Sequence, residues 1–107
     1  GHGVEASSNF TISHGQAVSI GLAIVTKAAT KFEICTSDTY GSILNILTAF
    51  GLPIDTDTNS QTLYQCALSD KKRLGATITL VVPKEIGRCI LRPTKVDELK
   101  DFIEAGL

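Results

Sequence analysis

The sequence predicts a mainly α domain, a helical bundle-like arrangement carrying one small β-hairpin. Three observations predict it. A long segment over 17–32 is apolar on nearly all sides, three further stretches carry helical spacing or helix-end signals, and only one pair of short stretches has strand character. At 107 residues, 43% hydrophobic and 20% charged, the chain has the size and composition of one globular domain.

The first helix reads from Gly15, through Ala17, Val18, Ile20, Leu22, Ala23, Ile24, Val25, Ala28 and Ala29 to Phe32. Only Ser19, Thr26 and Thr30 interrupt it, as a thin polar stripe. A helix apolar on most sides needs cover on most sides, and this chain has few elements to supply it. A second helix follows from Ile43, Ile46, Leu47 and Phe50, the i, i+3, i+4, i+7 pattern of one buried face. Gly51 is its left-handed C-terminal cap, and Pro53 stops continuation. Ser37 and Asp38, ahead of it, read as helix-start chemistry. A third helix spans about 59–68, with Thr58 or Asn59 as N-cap and Leu63, Cys66 and Ala67 inward.

The strand candidates are 77–82, where Ile78, Leu80 and Val82 share a face, and 89–92. Pro83 and Gly87 punctuate the connection, which reads as a hairpin with a longer loop. The last helix opens at Thr94 with Asp97 three residues on, a Ser/Thr-x-x-acid cap. Val96, Leu99, Phe102 and Ile103 form its buried stripe, and Gly106 its stop.

Composition excludes several function classes. Ten Lys and Arg against eleven Asp and Glu leave a net charge of −1, so no basic excess exists to neutralise a row of phosphates, and nucleic acid is not the expected partner. The longest apolar stretch, 17–29, is broken by Ser19, Thr26 and Lys27, too short for the roughly 20 apolar residues that cross a bilayer. Three widely separated cysteines, Cys35, Cys66 and Cys89, make neither a C-x-x-C pair nor a disulfide framework. They read as buried thiols in a reducing cytoplasm, and no secretion signal opens the sequence.

Candidate chemistry rests on few residues. His2 and His14 are the only histidines. A catalytic zinc takes about three protein ligands, so two histidines twelve apart do not make a site alone, and locally they read as surface or capping residues. In Ser69-Asp70-Lys71-Lys72-Arg73-Leu74-Gly75, three cations follow one acid between a helix and a strand. Such a cluster suits a solvated helix C-terminus, or an anion site in which ammonium groups act as point charges. No P-loop and no Gly-x-Gly-x-x-Gly after a strand occurs, so the chain has no nucleotide cradle of its own.

Taken together, the motifs point further. Gly1-His2-Gly3-Val4-Glu5-Ala6, followed by His14-Gly15-Gln16-Ala17-Val18-Ser19-Ile20-Gly21, closely resembles the signature of 3-dehydroquinate synthases. In that family a Gly-His-x-x-Glu segment precedes a His-Gly-Glu-x-Val-x-x-Gly helix at this separation. Gly51-Leu52-Pro53, Asp70-Lys71-Lys72, the apolar strand at 77–83 and Ile86-Gly87 occur in the family's order, so the resemblance covers essentially the whole chain.

The resemblance implies a zinc- and NAD-dependent lyase of the shikimate pathway. Such enzymes convert 3-deoxy-D-arabino-heptulosonate 7-phosphate to 3-dehydroquinate and release phosphate. Zn2+ would act as a Lewis acid and NAD would carry the hydride. His14 matches a zinc-ligating histidine. His2 matches a histidine near the substrate phosphate that assists proton transfer. Asp70-Lys71-Lys72 matches the region of a substrate-binding lysine, either Lys71 or Lys72, with Lys71 preferred. Gln16 stands where the family usually has Glu, a departure that touches the surroundings of the metal ligand.

A second zinc histidine four residues before the position of His2, a glutamate ligand further upstream and the N-terminal NAD-binding domain would all precede Gly1. The expectation is therefore a C-terminal helical domain, inactive alone, that completes its site with that missing domain and a sugar phosphate. A homo-oligomer, with exchange of helices between copies as a way to cover 17–32, is expected with it. Another sugar-phosphate cyclase, such as a 2-deoxy-scyllo-inosose synthase, or a non-catalytic helical binding module are the alternatives.

Overall fold

In a computed structural model the chain is described over residues 4–5, 12–71 and 77–107, leaving aside the side chains at 66–71, 77–78 and 96. Among the described residues, beyond a short helical piece at 4–5, four helices and one hairpin follow in the order α1 (His14–Lys31), α2 (Ser37–Ala49), α3 (Ser60–Lys71), β1 (Thr77–Glu85), β2 (Arg88–Lys95) and α4 (Val96–Gly106). The mainly helical class with a single two-stranded antiparallel sheet is as expected.

Helix α1 begins one residue earlier than its apolar pattern, because Ser13 caps it. The Ser13 hydroxyl accepts from the Gln16 backbone N–H at 3.1 Å, and the Gln16 side chain accepts from the Ser13 N–H at 3.0 Å. This reciprocal pair satisfies two otherwise orphaned donors. At its other end, Glu33 at φ 62° closes a paired turn: its N–H reaches the Thr30 carbonyl, and the Ile34 N–H reaches that of Ala29 at 2.8 Å.

Helix α1 is the hub. It packs against α4, α2 and β1, and the α1–α4 pair is the most extensive helix contact. Around its C-terminal half, Ala28, Ala29, Cys35, Val82 and Phe102 form one buried cluster. Around its N-terminal half, Val4, Ala17, Ile20 and Leu63 form another. The expectation that α1 lacks cover is corrected in part: neighbours within the chain bury seven of its eighteen residues, Leu22, Ile24 and Val25 are half-buried, and among its described large apolar residues only Val18 stands exposed. Ser19 and Thr26 of its polar stripe are buried too, with Thr30 half-buried. The Ser19 hydroxyl donates to the Pro53 carbonyl at 2.6 Å, and the Thr26 hydroxyl donates back to Leu22 at 2.7 Å. Satisfied in this way, small polar groups cost little to bury.

Helix α2 is longer than its apolar pattern, starting behind the N-cap Thr36, with Asp38 in its first turn as expected. Gly51 at φ 69° ends it, with Gly51 N–H to Thr48 and Leu52 N–H to Leu47 at 2.9 Å each, the expected left-handed cap. Its predicted stripe is only partly buried. Leu47 points inward, whereas Ile46 is 53% and Phe50 78% exposed. With α1 as its main partner, α2 buries a narrower strip than its apolar residues could fill.

In α3, Asn59 is the cap, its side chain accepting from the Thr62 N–H at 2.9 Å, and Leu63 is buried as expected. The inward placement of Cys66 and Ala67 lies outside the described side chains.

The hairpin differs from expectation in its turn. Strand pairing runs from Thr77↔Lys95 to Glu85↔Arg88, so Ile86-Gly87 is a two-residue turn, with an irregularity between Pro83 and Glu85. Gly87 at φ 82° supplies the conformation such a turn needs. Leu80, Val82 and Ile90 face the helices, while Val81 and Leu91 pair on the outer face and stay exposed.

The expected cap of α4 is also corrected. Thr94 remains in the ladder opposite Ile78, fully buried, and its hydroxyl donates to the Arg92 carbonyl at 3.0 Å. Lys95 occupies the N-cap without a side-chain bond, and Asp97 and Glu98 complement the helix dipole from the first turn. Leu99 and Phe102 are buried as expected. Gly106 is the last residue of α4, where the stop was expected, and it also packs closely against Ile24 of α1. Where α1 ends, the Phe32 and Phe102 rings stack at 5.5 Å, and the Arg92 guanidinium lies 5.2 and 5.5 Å from their centroids. Of the cysteines, Cys35 is buried as expected, but Cys89 is exposed on the outer hairpin face.

Candidate functional site

The residues singled out for chemistry fall in two regions, and the structure describes one of them. His14 is the first residue of α1, fixed in position by the Ser13–Gln16 cap on either side of it. Its side chain is 70% exposed. The Nδ1 atom stands 3.5 Å from each carboxylate oxygen of Glu5, whose own side chain is only 17% exposed. Val4, beside Glu5, is buried against Ala17, Ile20 and Leu63, and this anchors the short helical piece that carries the carboxylate.

The chemistry of this pair suits a metal ligand. When Nδ1 carries the proton and donates to a carboxylate, the lone pair resides on Nε2, the arrangement found behind most metal-ligating histidines. A helix N-terminus is about half a positive charge, which opposes a cation, and the Glu5 carboxylate offsets it. Among the described residues, no group of three or more His, Cys, Asp or Glu side chains gathers to hold a metal. His14 thus fits as one ligand of a set completed by others.

His2, Lys72 and the segment between Glu5 and Ile12 lie outside the described residues. Lys71 is the last residue of α3, where a cation complements the dipole, and its side chain lies outside the description. Next to the Glu5–His14 pair, Val4, Gln16, Pro53, Asp55 and Asp57 border a groove of about 310 Å³. Its two aspartates make it a poor seat for a phosphate.

Two features escaped sequence reasoning as site components. Glu5 stands in the motif, but its approach to His14 is not legible there, because contact across nine residues is tertiary. Gln16 looked like a substitution beside the metal ligand, yet Ser13-x-x-Gln16 ahead of an apolar run is a legible capping signal.

No described helix is long and apolar enough to cross a membrane. Comparison with known proteins adds the family. The C-terminal domain of 3-dehydroquinate synthase, as a family pattern, matches residues 1–73. The 3-dehydroquinate synthase of Streptococcus pneumoniae strain ATCC 700669 / Spain 23F-1 is 33% identical over 105 residues, covering 96% of this chain and 30% of that protein. The same enzyme from strain Hungary19A-6 is 32% identical over the same length. The chain thus spans under a third of the length of these relatives. In fold, it superposes on a crystal structure of 2-deoxy-scyllo-inosose synthase with a TM-score of 0.76 over 99% of this chain and 30% of that one, at 17% identity. With the motifs, the helix-and-hairpin fold and these likenesses in agreement, the chain belongs to the 3-dehydroquinate synthase family, as a C-terminal domain.

Proposed function

We propose that this chain works as the C-terminal part of a 3-dehydroquinate synthase, the lyase that converts 3-deoxy-D-arabino-heptulosonate 7-phosphate to 3-dehydroquinate and phosphate. The observation that carries the reading is His14 at the head of α1 with its Nδ1 against Glu5, in a chain similar over 96% of its length to enzymes of that name. When bound, zinc supplies Lewis-acid polarisation of a substrate oxygen, and NAD supplies the hydride acceptor and donor. His14 would hold the metal through Nε2, together with ligands from outside the described residues. His2 moves a proton near the substrate phosphate. Lys71 or Lys72 holds a substrate anion as a point charge. An N-terminal domain binds NAD, and the enzyme acts in the cytoplasm as a homo-oligomer.

The test is phosphate release from the heptulosonate phosphate by the full-length protein, with and without chelator, in wild type and His14→Ala. Loss of zinc-dependent release in His14→Ala is expected. Full activity in that variant removes the assignment of His14. Turnover of a different sugar phosphate, with none of the heptulosonate, transfers the reading to another sugar-phosphate cyclase. Lys71→Ala and Lys72→Ala, made separately, identify the substrate lysine by which one raises KM.

A further inference from the structure

We infer that Glu5 is a positioning residue for His14: its carboxylate holds the imidazole proton on Nδ1 and so presents Nε2 as the metal-binding nitrogen. The inference rests on the reading of His14 as a metal ligand and adds to it the group that orients that ligand.

Three observations carry it. Both carboxylate oxygens lie at the same 3.5 Å from Nδ1, so the carboxylate faces that nitrogen squarely. The contact is long, as such bonds often are before a ligand draws the site together. The partners are unequal in burial, 17% exposed for the Glu5 side chain against 70% for His14. The carboxylate is therefore the fixed member, next to the buried Val4, and the imidazole the member that is aimed. Finally, the first turn of α1 contains no acidic residue. A cation bound there meets the positive end of the helix dipole, and Glu5 brings negative charge from another segment.

The competing account is a weak surface ion pair, without influence on the ring's tautomer or on metal. The two accounts separate experimentally in the full-length protein. Two-bond imidazole 15N correlation spectra of the metal-free protein, recorded where the ring is neutral, report which nitrogen of His14 carries the proton. Zinc affinity is read by competition with a chromophoric chelator. Wild type is expected to carry the proton on Nδ1. Glu5→Ala is expected to move it to Nε2 and to weaken zinc binding by about 10–100-fold. Glu5→Gln, which keeps an acceptor without the charge, recovers part of both.

A wild-type proton on Nε2, or zinc binding unchanged in both Glu5 variants, overturns the inference. If His14→Ala loses zinc while Glu5→Ala retains it, the positioning role alone fails. If His14→Ala retains zinc, the underlying assignment of His14 fails. Should Glu5→Ala not fold, the wild-type tautomer and Glu5→Gln still decide.

Discussion

The backbone carbonyl of Ile24 lies so close to Gly106 that no side chain fits between α1 and α4. A Cβ built on Gly106 collides with the Ile24 carbonyl oxygen and sits 2.5 Å from its Cγ2 atom. The obstacle is chiefly backbone, so it cannot swing aside.

Gly106→Ala is therefore expected to destabilise the fold by about 1–3 kcal/mol, the usual cost of overpacking. Gly41→Ala is the control. It lies inside α2 with nothing within 4 Å of the added carbon, and there alanine is expected to stabilise by about 0.5–1 kcal/mol. Thermal unfolding of the two variants should move in opposite directions. Equal shifts would remove the close approach as the cause.

Glu33 is the described non-glycine residue with a left-handed backbone, at φ 62°. A side chain there costs about 1–2 kcal/mol, of which glycine returns part through its larger unfolded-state entropy. Glu33→Gly is expected to raise the thermal midpoint by a few degrees, and Glu33→Val to lower it. A lower midpoint in Glu33→Gly would show that the carboxylate contributes more than the backbone costs.

Ser19→Ala removes the donor that satisfies the Pro53 carbonyl at 2.6 Å, a link between α1 and the segment after α2. An unpaired carbonyl in this partly buried place costs about 1–3 kcal/mol. The expected signature is local as well as global: faster amide exchange within residues 54–58 than in the rest of the variant. Unchanged exchange there would show that water replaces the hydroxyl.

The thiols should separate by reactivity. Cys89 is exposed on the hairpin and Cys35 is buried, so brief iodoacetamide treatment of the native protein is expected to label Cys89, with Cys35 labelled only after unfolding. Peptide mass mapping reads the outcome directly. Early labelling of Cys35 would contradict its place in the core.

Most of this fold was legible because its signals are local. Gly51 announced the end of α2, Asn59 the start of α3, and Leu63, Val82, Leu99 and Phe102 their buried faces. Errors arose where tertiary context decides. Thr94 looks like a helix cap, but β2 keeps it in the ladder. Ile46 and Phe50 have core spacing, but no described neighbour covers them. Pro83 looks like loop punctuation, but it stays in β1, paired with Cys89 where the ladder becomes irregular, a place that tolerates proline. At the site, the motif identified His14, whereas the facing Glu5 carboxylate emerges only once the chain folds back on itself.

The cover of α1 has a consequence for synthesis. Its most extensive helical partner, α4, begins about 65 residues after α1 ends. At roughly 5–20 residues per second on the ribosome, α1 emerges from the translation machinery about 3–13 s before α4 does. During that interval, a surface rich in aliphatic side chains has no permanent neighbour from the far end of the domain. In a nascent chain with this order α2 is the first helix able to cover part of α1, and slowing translation after α1 lengthens its exposure.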